Sequence, residues 1–150
     1  MSIPGSHYHS RVFGFNIPRY VILIVLLVIC AYFFWNNDVV GAVILALLIL
    51  ALFTFNISID ASPNRIKISA LWIPLRTFDT DEIKSIEVLT SSPLSERATL
   101  GIHFIEGSLS YHSGPATIRI TTYTGKSIRV TAAQPASLLE LMNQGSARIP

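Results

Sequence analysis

Charged side chains are scarce in this chain of 150 residues. Asp, Glu, Lys and Arg make up 13% of it, whereas 51% of the residues are hydrophobic and the mean hydropathy is +0.52. Ordinary soluble domains contain about 25% charged residues. The shortage excludes a solvated surface over the whole chain and favours a protein whose apolar part faces lipid.

Basic residues are too few and too dispersed to hold nucleic acid. The net charge is only +2, and from residue 58 onward nine Lys and Arg residues meet eight Asp and Glu residues. Binding of nucleic acid depends on a basic surface that neutralises several phosphates. We therefore expect no nucleic-acid partner.

Residue patterns typical of catalysis or metal binding are also lacking. Cys30 is the only cysteine, so no intrachain disulfide can form. The four histidines show no metal-ligand spacing, and no nucleophile motif surrounds Ser110 and His112. The acidic residues Asp79, Asp81 and Glu82 are more typical of a turn than of a cation site. We predict no catalytic residue, no cofactor, no metal and no enzymatic activity.

Two long apolar runs are present near the N-terminus, over residues 17–35 and 39–57. The stretch FFWNNDVVG between them suits either a tight turn in a globular core or the tip of a membrane hairpin. Nineteen helical residues reach about 28 Å, close to the ~30 Å thickness of the hydrocarbon layer. The remaining chain of roughly 90 residues is too small to enclose two helices that are apolar all round. We predict a two-span transmembrane hairpin.

The orientation follows from the positive charges. The polar tip carries no Lys or Arg, and Trp35 beside it suits a membrane interface. The positive-inside rule therefore predicts a multi-pass protein of the cell membrane with both termini in the cytoplasm. The small residues Ala42 and Ala46 favour close helix packing, either within the hairpin or in a homo-oligomer. The flanking basic residues are Arg11 and Arg19 before the first run, and Arg65, Lys67 and Arg76 after the second.

Beyond residue 57 the hydrophobic period changes to two. RIKISA, ATIRITTY and SIRVTA alternate apolar and polar residues, which predicts half-buried antiparallel strands. Gly125 in YTGKS suits a short hairpin turn. Less regular strands are predicted at SIEVL, TLGIHF and IPLRTF. The tail QPASLLELMNQG predicts a helix that begins near Pro135, places Leu138, Leu141 and Met142 on one face, and stops at Gly145.

The order of elements and several motifs resemble the bacterial pleckstrin-homology-like (PH-like) domains of small two-span membrane proteins. The motifs are ISIDASPNRIKIS, FDTDEIKSIEV, LGIHF and ATIRITTYTGKSIRVTAAQPASLLELM, within residues 17–144. The resemblance implies an α+β membrane protein in which residues 58–144 form a bent antiparallel β barrel capped by the C-terminal helix. Residues 1–16 are then a cytoplasmic tail and residues 145–150 a second tail.

Two groups of residues are candidates for contacts. Some eukaryotic relatives of the PH-like family bind inositol lipids through a basic cluster at the first hairpin, and here that region offers only Arg65 and Lys67. With Arg19 they are candidates for contact with anionic lipid headgroups. The segment EGSLSYHSG reads as a mobile loop, in which Ser110, Tyr111 and His112 are candidates for contact with a partner unless it is a plain connector.

The sequence thus favours a membrane-anchored PH-like module that serves as an interaction or scaffold element for a protein partner. The alternative is an accessory subunit or small enzyme whose site is completed by another membrane protein. Both hypotheses share the bilayer as a partner.

Overall fold

A computed structural model describes residues 7–146, with side chains as far as Asn143. The helices in this part of the chain are α1 (Ile17–Trp35), α2 (Val39–Thr54), α3 (Leu94–Ala98) and α4 (Pro135–Ser146). The strands are β1 (Tyr8–Val12), β2 (Ile57–Ser62), β3 (Arg65–Ala70), β4 (Ile73–Asp79), β5 (Ile83–Val88), β6 (Leu100–Ile105), β7 (Ser108–Ser113), β8 (Ile118–Thr122) and β9 (Ser127–Val130).

The two apolar helices form a tight hairpin. The side chain of Asn16 accepts a hydrogen bond from the backbone N–H of Arg19 and caps the start of α1. At the tip, Asn37 has a positive φ of 58°, which asparagine tolerates better than most residues. Asp38 then caps α2 by accepting from the N–H of Gly41. The predicted role of NND as a helix-to-helix link is confirmed.

The outward faces of this hairpin are apolar and exposed. The contact between α1 and α2 buries few side chains, among them Leu23 and Ala42. The Cys30 thiol lies 3.4 Å from the carbonyl oxygen of Ala42. Ala42 thus packs within the hairpin, whereas Ala46 is exposed. By length and composition α1 is able to span a membrane. The second predicted span is wrong in extent, because α2 ends at Thr54 and its 16 residues cover about 24 Å.

The remaining elements form two sheets. The first has the order β1-β2-β3-β4 and is antiparallel throughout. The second has the order β5-β8-β9-β7-β6, in which β7 and β9 are parallel neighbours and the other pairs are antiparallel. The strands predicted from RIKISA, ATIRITTY and SIRVTA are confirmed, as is the turn at Gly125, where φ is 80°.

One hydrophobic core lies between the sheets and under α4. Leu138, Leu141 and Met142 are buried in it, which confirms the predicted apolar face of the last helix. The predicted closed barrel is not formed, since no strand ladder joins β4 to β5 in the described residues. A 3₁₀ turn, Thr80–Glu82, separates those two strands and is capped by Asp79. The acidic cluster therefore forms a turn, as predicted.

Three boundaries differ from the prediction. The expected tail over residues 1–16 contains β1, which pairs with β2 along its whole length. Ile57, expected at the end of a membrane span, is fully buried in β2 and opposite Ala70. The helix α4 continues through Gly145 to Ser146, so that part of the expected C-terminal tail is helical. Residues 1–6 and 147–150 of the predicted tails lie outside the described residues.

Candidate functional site

A buried ion pair joins α3 to β9. The Nε and Nη2 atoms of Arg129 donate to the two carboxylate oxygens of Glu96 over 2.6 and 3.1 Å. Both residues are sealed from solvent, with exposed fractions of 1% for Arg129 and 0% for Glu96. Such a two-point contact between guanidinium and carboxylate is the strong form of a charged hydrogen bond.

Arg129 also reaches the surface on its other side. Its Nη1 atom donates to Glu106 Oε2 over 2.9 Å, and Glu106 occupies the β6–β7 turn. The Glu106 side chain is largely exposed. Because hydrogen bonds to Glu96 outweigh the effect of burial, the pKa of Arg129 is raised above its ordinary value.

A polar chain continues from this ion pair along β7. The hydroxyl of Ser110 donates to Glu96 Oε1 over 2.8 Å, and His112 Nδ1 lies 3.0 Å from the same hydroxyl oxygen. His112 Nε2 in turn lies 3.0 Å from the Thr99 hydroxyl. Because the Ser110 proton faces the carboxylate, its oxygen is free to accept from Nδ1–H of His112. The chain therefore links the buried ion pair to the surface at Thr99.

The chain shifts the pKa values of its members. Burial by itself would raise the pKa of Glu96, but hydrogen bonds from Arg129 and Ser110 outweigh burial and lower it. The pKa of His112 is lowered by burial first, and then by the neighbouring His103, whose ring centre lies 5.0 Å away. At neutral pH both shifts favour an ionised Glu96 carboxylate and a neutral His112 imidazole.

The sheet register explains why these polar groups meet. Ser110 lies opposite Arg129 in the parallel β7–β9 pair, while Leu109 and Tyr111 lie opposite Ile128 and Val130. Because side chains alternate across a strand, one face of this sheet is apolar and turns to the core. The other face carries the polar chain, and Glu96 on α3 is bonded to it. The alternation of SIRVTA indicated the outward direction of Arg129, but nothing local indicated that Glu96 would cover it.

The predicted partner-contact loop is wrong. The segment 108–113 is β7, between β6 and β9, where Ser110 and His112 are fully buried and Tyr111 belongs to the core. Its Gly and Ser residues suggested mobility, whereas Gly107 and Gly114 take positive φ values of 74° and 91° just outside the strand, and the hydroxyls of Ser110 and Ser113 form hydrogen bonds inside the domain. These three side chains are not available to a partner, and Ser110 is not an accessible nucleophile.

Arg19, a predicted headgroup contact, is buried between the hairpin and the sheets. Its Nε donates to the carbonyl of Leu52 over 3.1 Å and its Nη2 to that of Phe55 over 2.9 Å. These carbonyls end α2, where no helical N–H remains to pair with them. Nη1 also bonds the carbonyl of Phe13. The guanidinium is therefore committed to the protein and does not face lipid headgroups.

The other two predicted headgroup residues are exposed, and each has an acidic neighbour. Lys67 is opposite Asp60 in the β2–β3 pair, and Arg65 donates to Asp79 over 3.1 Å. Arg65 is opposite Ser62, five residues along β2 from Ile57, or about 17 Å at 3.3 Å per residue. Both cations therefore have acidic neighbours.

Two cavities lie beside the polar chain. One of about 250 Å³ sits where the hairpin meets the second sheet, and another of about 430 Å³ borders β6. Thr99 and His103 line both. The first is lined by Gly14, Asn16, Arg19, Ile22, Leu23, Leu52, Ala98, Thr99, Leu100 and His103; the second by Pro93, Ser95, Thr99, His103, Phe104, Ile105 and Glu106.

The described residues contain no group of three His, Cys, Asp or Glu side chains arranged to hold a metal ion. Comparison with protein families, curated proteins and solved structures finds no significant match.

Proposed function

We propose that this protein is a membrane-anchored interaction module of the cell membrane. In this proposal the helical hairpin lies in the bilayer and holds the β domain against the cytoplasmic surface, where the domain binds a protein partner. The observation that carries the proposal is the exposed apolar surface of α1 and α2, which has no covering element among the described residues.

Aromatic rings at both ends of the hairpin support the bilayer placement. At the base, Phe15 contacts Phe13, Tyr20 and Phe53, with ring centres 6.2, 5.6 and 5.5 Å apart. At the tip, Tyr32, Phe34 and Trp35 are exposed. Tyr and Trp side chains concentrate at the two interfaces of a bilayer, so an exposed apolar hairpin with Tyr20 at its base and Tyr32 and Trp35 at its tip suits a membrane.

The junction between hairpin and domain is tightly built. Gly14 has a φ of 60°, and a Cβ at this position would lie 1.7 Å from the backbone oxygen of Ser113. The Ser113 hydroxyl donates to the carbonyl of Phe13 over 2.6 Å. Together with the Arg19 contacts, these interactions hold β7 against the base of the hairpin. A module of this kind would present its domain at a defined distance from the membrane.

We place the partner contact at the outer edge of β6. This strand ends the second sheet, so its outer backbone groups have no strand neighbour in the described residues. Phe104 is 75% exposed on it, beside the larger cavity. A free edge with an apolar side chain suits the addition of a strand from another protein.

Membrane extraction tests the anchor. The full chain should remain with membranes after alkaline carbonate treatment, whereas Leu27→Asp combined with Ile44→Asp should release part of it. An acidic residue in the middle of a span costs about 2.5 to 3.5 kcal/mol. Leu94→Asp combined with Tyr123→Asp is the matched control outside the hairpin and should behave as the native chain. Release of the native chain would contradict the anchor.

Site-specific crosslinking tests the partner contact. A photoreactive phenylalanine analogue at Phe104 should give a defined adduct in native membranes, and the same analogue at the exposed Tyr123 should not. Equal adducts at both positions would contradict a specific edge.

A further inference from the structure

The turn between β3 and β4 has an unusual composition. Leu71 and Trp72 are its two central residues, because Ala70 and Ile73 are paired across it. Leu71 has a φ of 57°, the left-handed conformation in which two-residue hairpins prefer glycine or asparagine. A turn that only reverses the chain would not need large apolar residues at its tip. Here Trp72 is 76% exposed, and Ile73 beside it is also exposed.

This turn lies at the base of the hairpin. The N–H of Leu71 donates to the carbonyl of Asn56 over 3.0 Å, and Asn56 follows the end of α2 by two residues. In the next position Ala70 is paired with Ile57, where the chain enters β2. The exposed tip is therefore within one strand spacing, about 4.8 Å, of the chain that leaves the second helix.

The charges of the first sheet are distributed along the same direction. Arg11 is opposite Ser58, one residue from the hairpin end of β2, and Arg76 is opposite Ile68, which in turn pairs with Ile59. Both arginines are exposed and lie within about 7 Å of that end along the strands. The acidic residues of this sheet, Asp60 and Asp79, occupy positions further from the hairpin. The hairpin end thus combines exposed apolar side chains with Arg11 and Arg76, neither of which forms an ion pair within the part of the chain that the structure describes.

We infer that the Leu71–Trp72 turn, flanked by Arg11 and Arg76, is a second membrane contact that enters the interface of the bilayer in which the hairpin sits. This inference rests on the proposed function. The headgroup region is about 5 to 7 Å deep on each side of the hydrocarbon layer, which matches the spread of the turn and the two arginines. Tryptophan prefers this region, and arginine binds anionic phosphates there. The contact would fix the rotation of the domain on the membrane.

The two tryptophans of the chain allow a direct test. Trp35→Phe leaves Trp72 as the reporter of the turn, and Trp72→Phe leaves Trp35 as the reporter of the hairpin tip. Each full-length variant is reconstituted into phosphatidylcholine and phosphatidylglycerol vesicles that contain lipids brominated at a shallow or a deep acyl position. Circular dichroism establishes that each variant keeps the native fold.

We expect the fluorescence of Trp72 to be shifted to the blue and quenched severalfold more by shallow than by deep bromines. The matched control is Tyr123→Trp in a chain with both native tryptophans replaced. Tyr123 is 70% exposed and lies in the turn between β8 and β9. This turn is at the end of the second sheet that is far from Ser113 and the hairpin base. Tryptophan at this position should not be quenched.

The outcomes separate the two proposals. Quenching of Trp35 without quenching of Trp72 would overturn the second contact and leave the hairpin in place. Absence of quenching at both positions would overturn the membrane anchor itself. Equal quenching of Trp72 and of tryptophan at position 123 would show that the domain contacts lipid without a preferred face, which also overturns the inference.

A second experiment tests whether anionic lipid and the two arginines contribute to this contact. Without phosphatidylglycerol, the quenching of Trp72 should fall, and Arg11→Gln combined with Arg76→Gln should abolish its dependence on the anionic lipid. Arg65→Gln combined with Lys126→Gln removes the same charge at exposed positions further from the hairpin base and should preserve the dependence. If the second pair abolishes it instead, the contact is not centred on the turn.

Discussion

Glu96 and Arg129 form a fully buried, two-point ion pair between residues 33 positions apart in the chain. Hydrogen bonds through Ser110 and His112 connect this ion pair to Thr99 at the surface. A buried pair of this kind is costly to break from one side, because the remaining charge keeps its desolvation penalty without its partner. Its integrity should therefore dominate the stability of the second sheet.

Removing one charge of this pair should be strongly destabilising. We expect Glu96→Gln to lower the free energy of unfolding by about 3 to 5 kcal/mol, since it leaves the Arg129 cation buried with reduced compensation. Glu106→Gln is the matched control on the same guanidinium. Its carboxylate is mostly exposed, and exposed pairs contribute about 0 to 1 kcal/mol. Thermal unfolding of the full chain in detergent, followed by circular dichroism, measures both. Equal losses would contradict the central role of Glu96.

Acidification should destabilise the domain through His112. Its pKa in the folded protein lies below the ordinary value of 6.5, so the unfolded chain binds a proton more readily. Stability is therefore unaffected by this group well above pH 6.5 and falls as the pH drops below about 6.5, until the folded-state pKa is reached. His112→Gln should remove this part of the pH dependence. A native chain whose unfolding temperature does not change over this interval would contradict the prediction.

The closing helix should contribute to the core through one face. Leu138 is fully buried, whereas its neighbour Leu139 is only partly so. Leu138→Ala should cost about 2 to 5 kcal/mol, because it removes buried methyl groups and leaves a cavity. Leu139→Ala is the same chemical change at the next position and should cost clearly less. Urea unfolding of the two variants provides the comparison, and a reversed order would mean that α4 packs through another face.

The orientation of the hairpin is open to thiol labelling. In a chain with Cys30→Ala, a cysteine at Asn37 should react with an impermeant reagent added outside intact cells. A cysteine at the exposed Thr124 should react only after the cells are opened. This follows from the positive residues before α1 and after α2 and their absence at the tip. Reaction of Thr124→Cys alone in intact cells would show the opposite orientation.

Local patterns were sufficient for several elements. The 3.6-residue and two-residue periods of a sequence report which side of a helix or strand is apolar, and this information lies within a few residues. Strands β3, β8 and β9 and the buried face of α4 were predicted in this way, and the hairpin link at NND was predicted from the polar break between two apolar runs. The PH-like resemblance stays a prediction, and the closed barrel that it implied is replaced by two sheets around one core.

The remaining features depend on residues that are distant in sequence. The length of α2 was overestimated because Ile57 is as apolar as a membrane residue, and only its pairing with Ala70 shows that it belongs to a strand. Arg19 was expected at the lipid surface, yet the carbonyl groups that end α2 bind it. Such partners are absent from any local pattern.

The segment around Ser110 shows the same limit most clearly. Its small and polar residues are typical of an exposed loop, and by itself the sequence determined only that Ser108, Ser110 and His112 alternate with Leu109 and Tyr111. Only the tertiary structure brings Glu96 and Arg129 next to Ser110. The buried carboxylate of Glu96 then accepts hydrogen bonds from both of them. Burying a polar group is unfavourable unless its hydrogen bonds are satisfied, and whether they are satisfied depends on the three-dimensional arrangement of the whole chain.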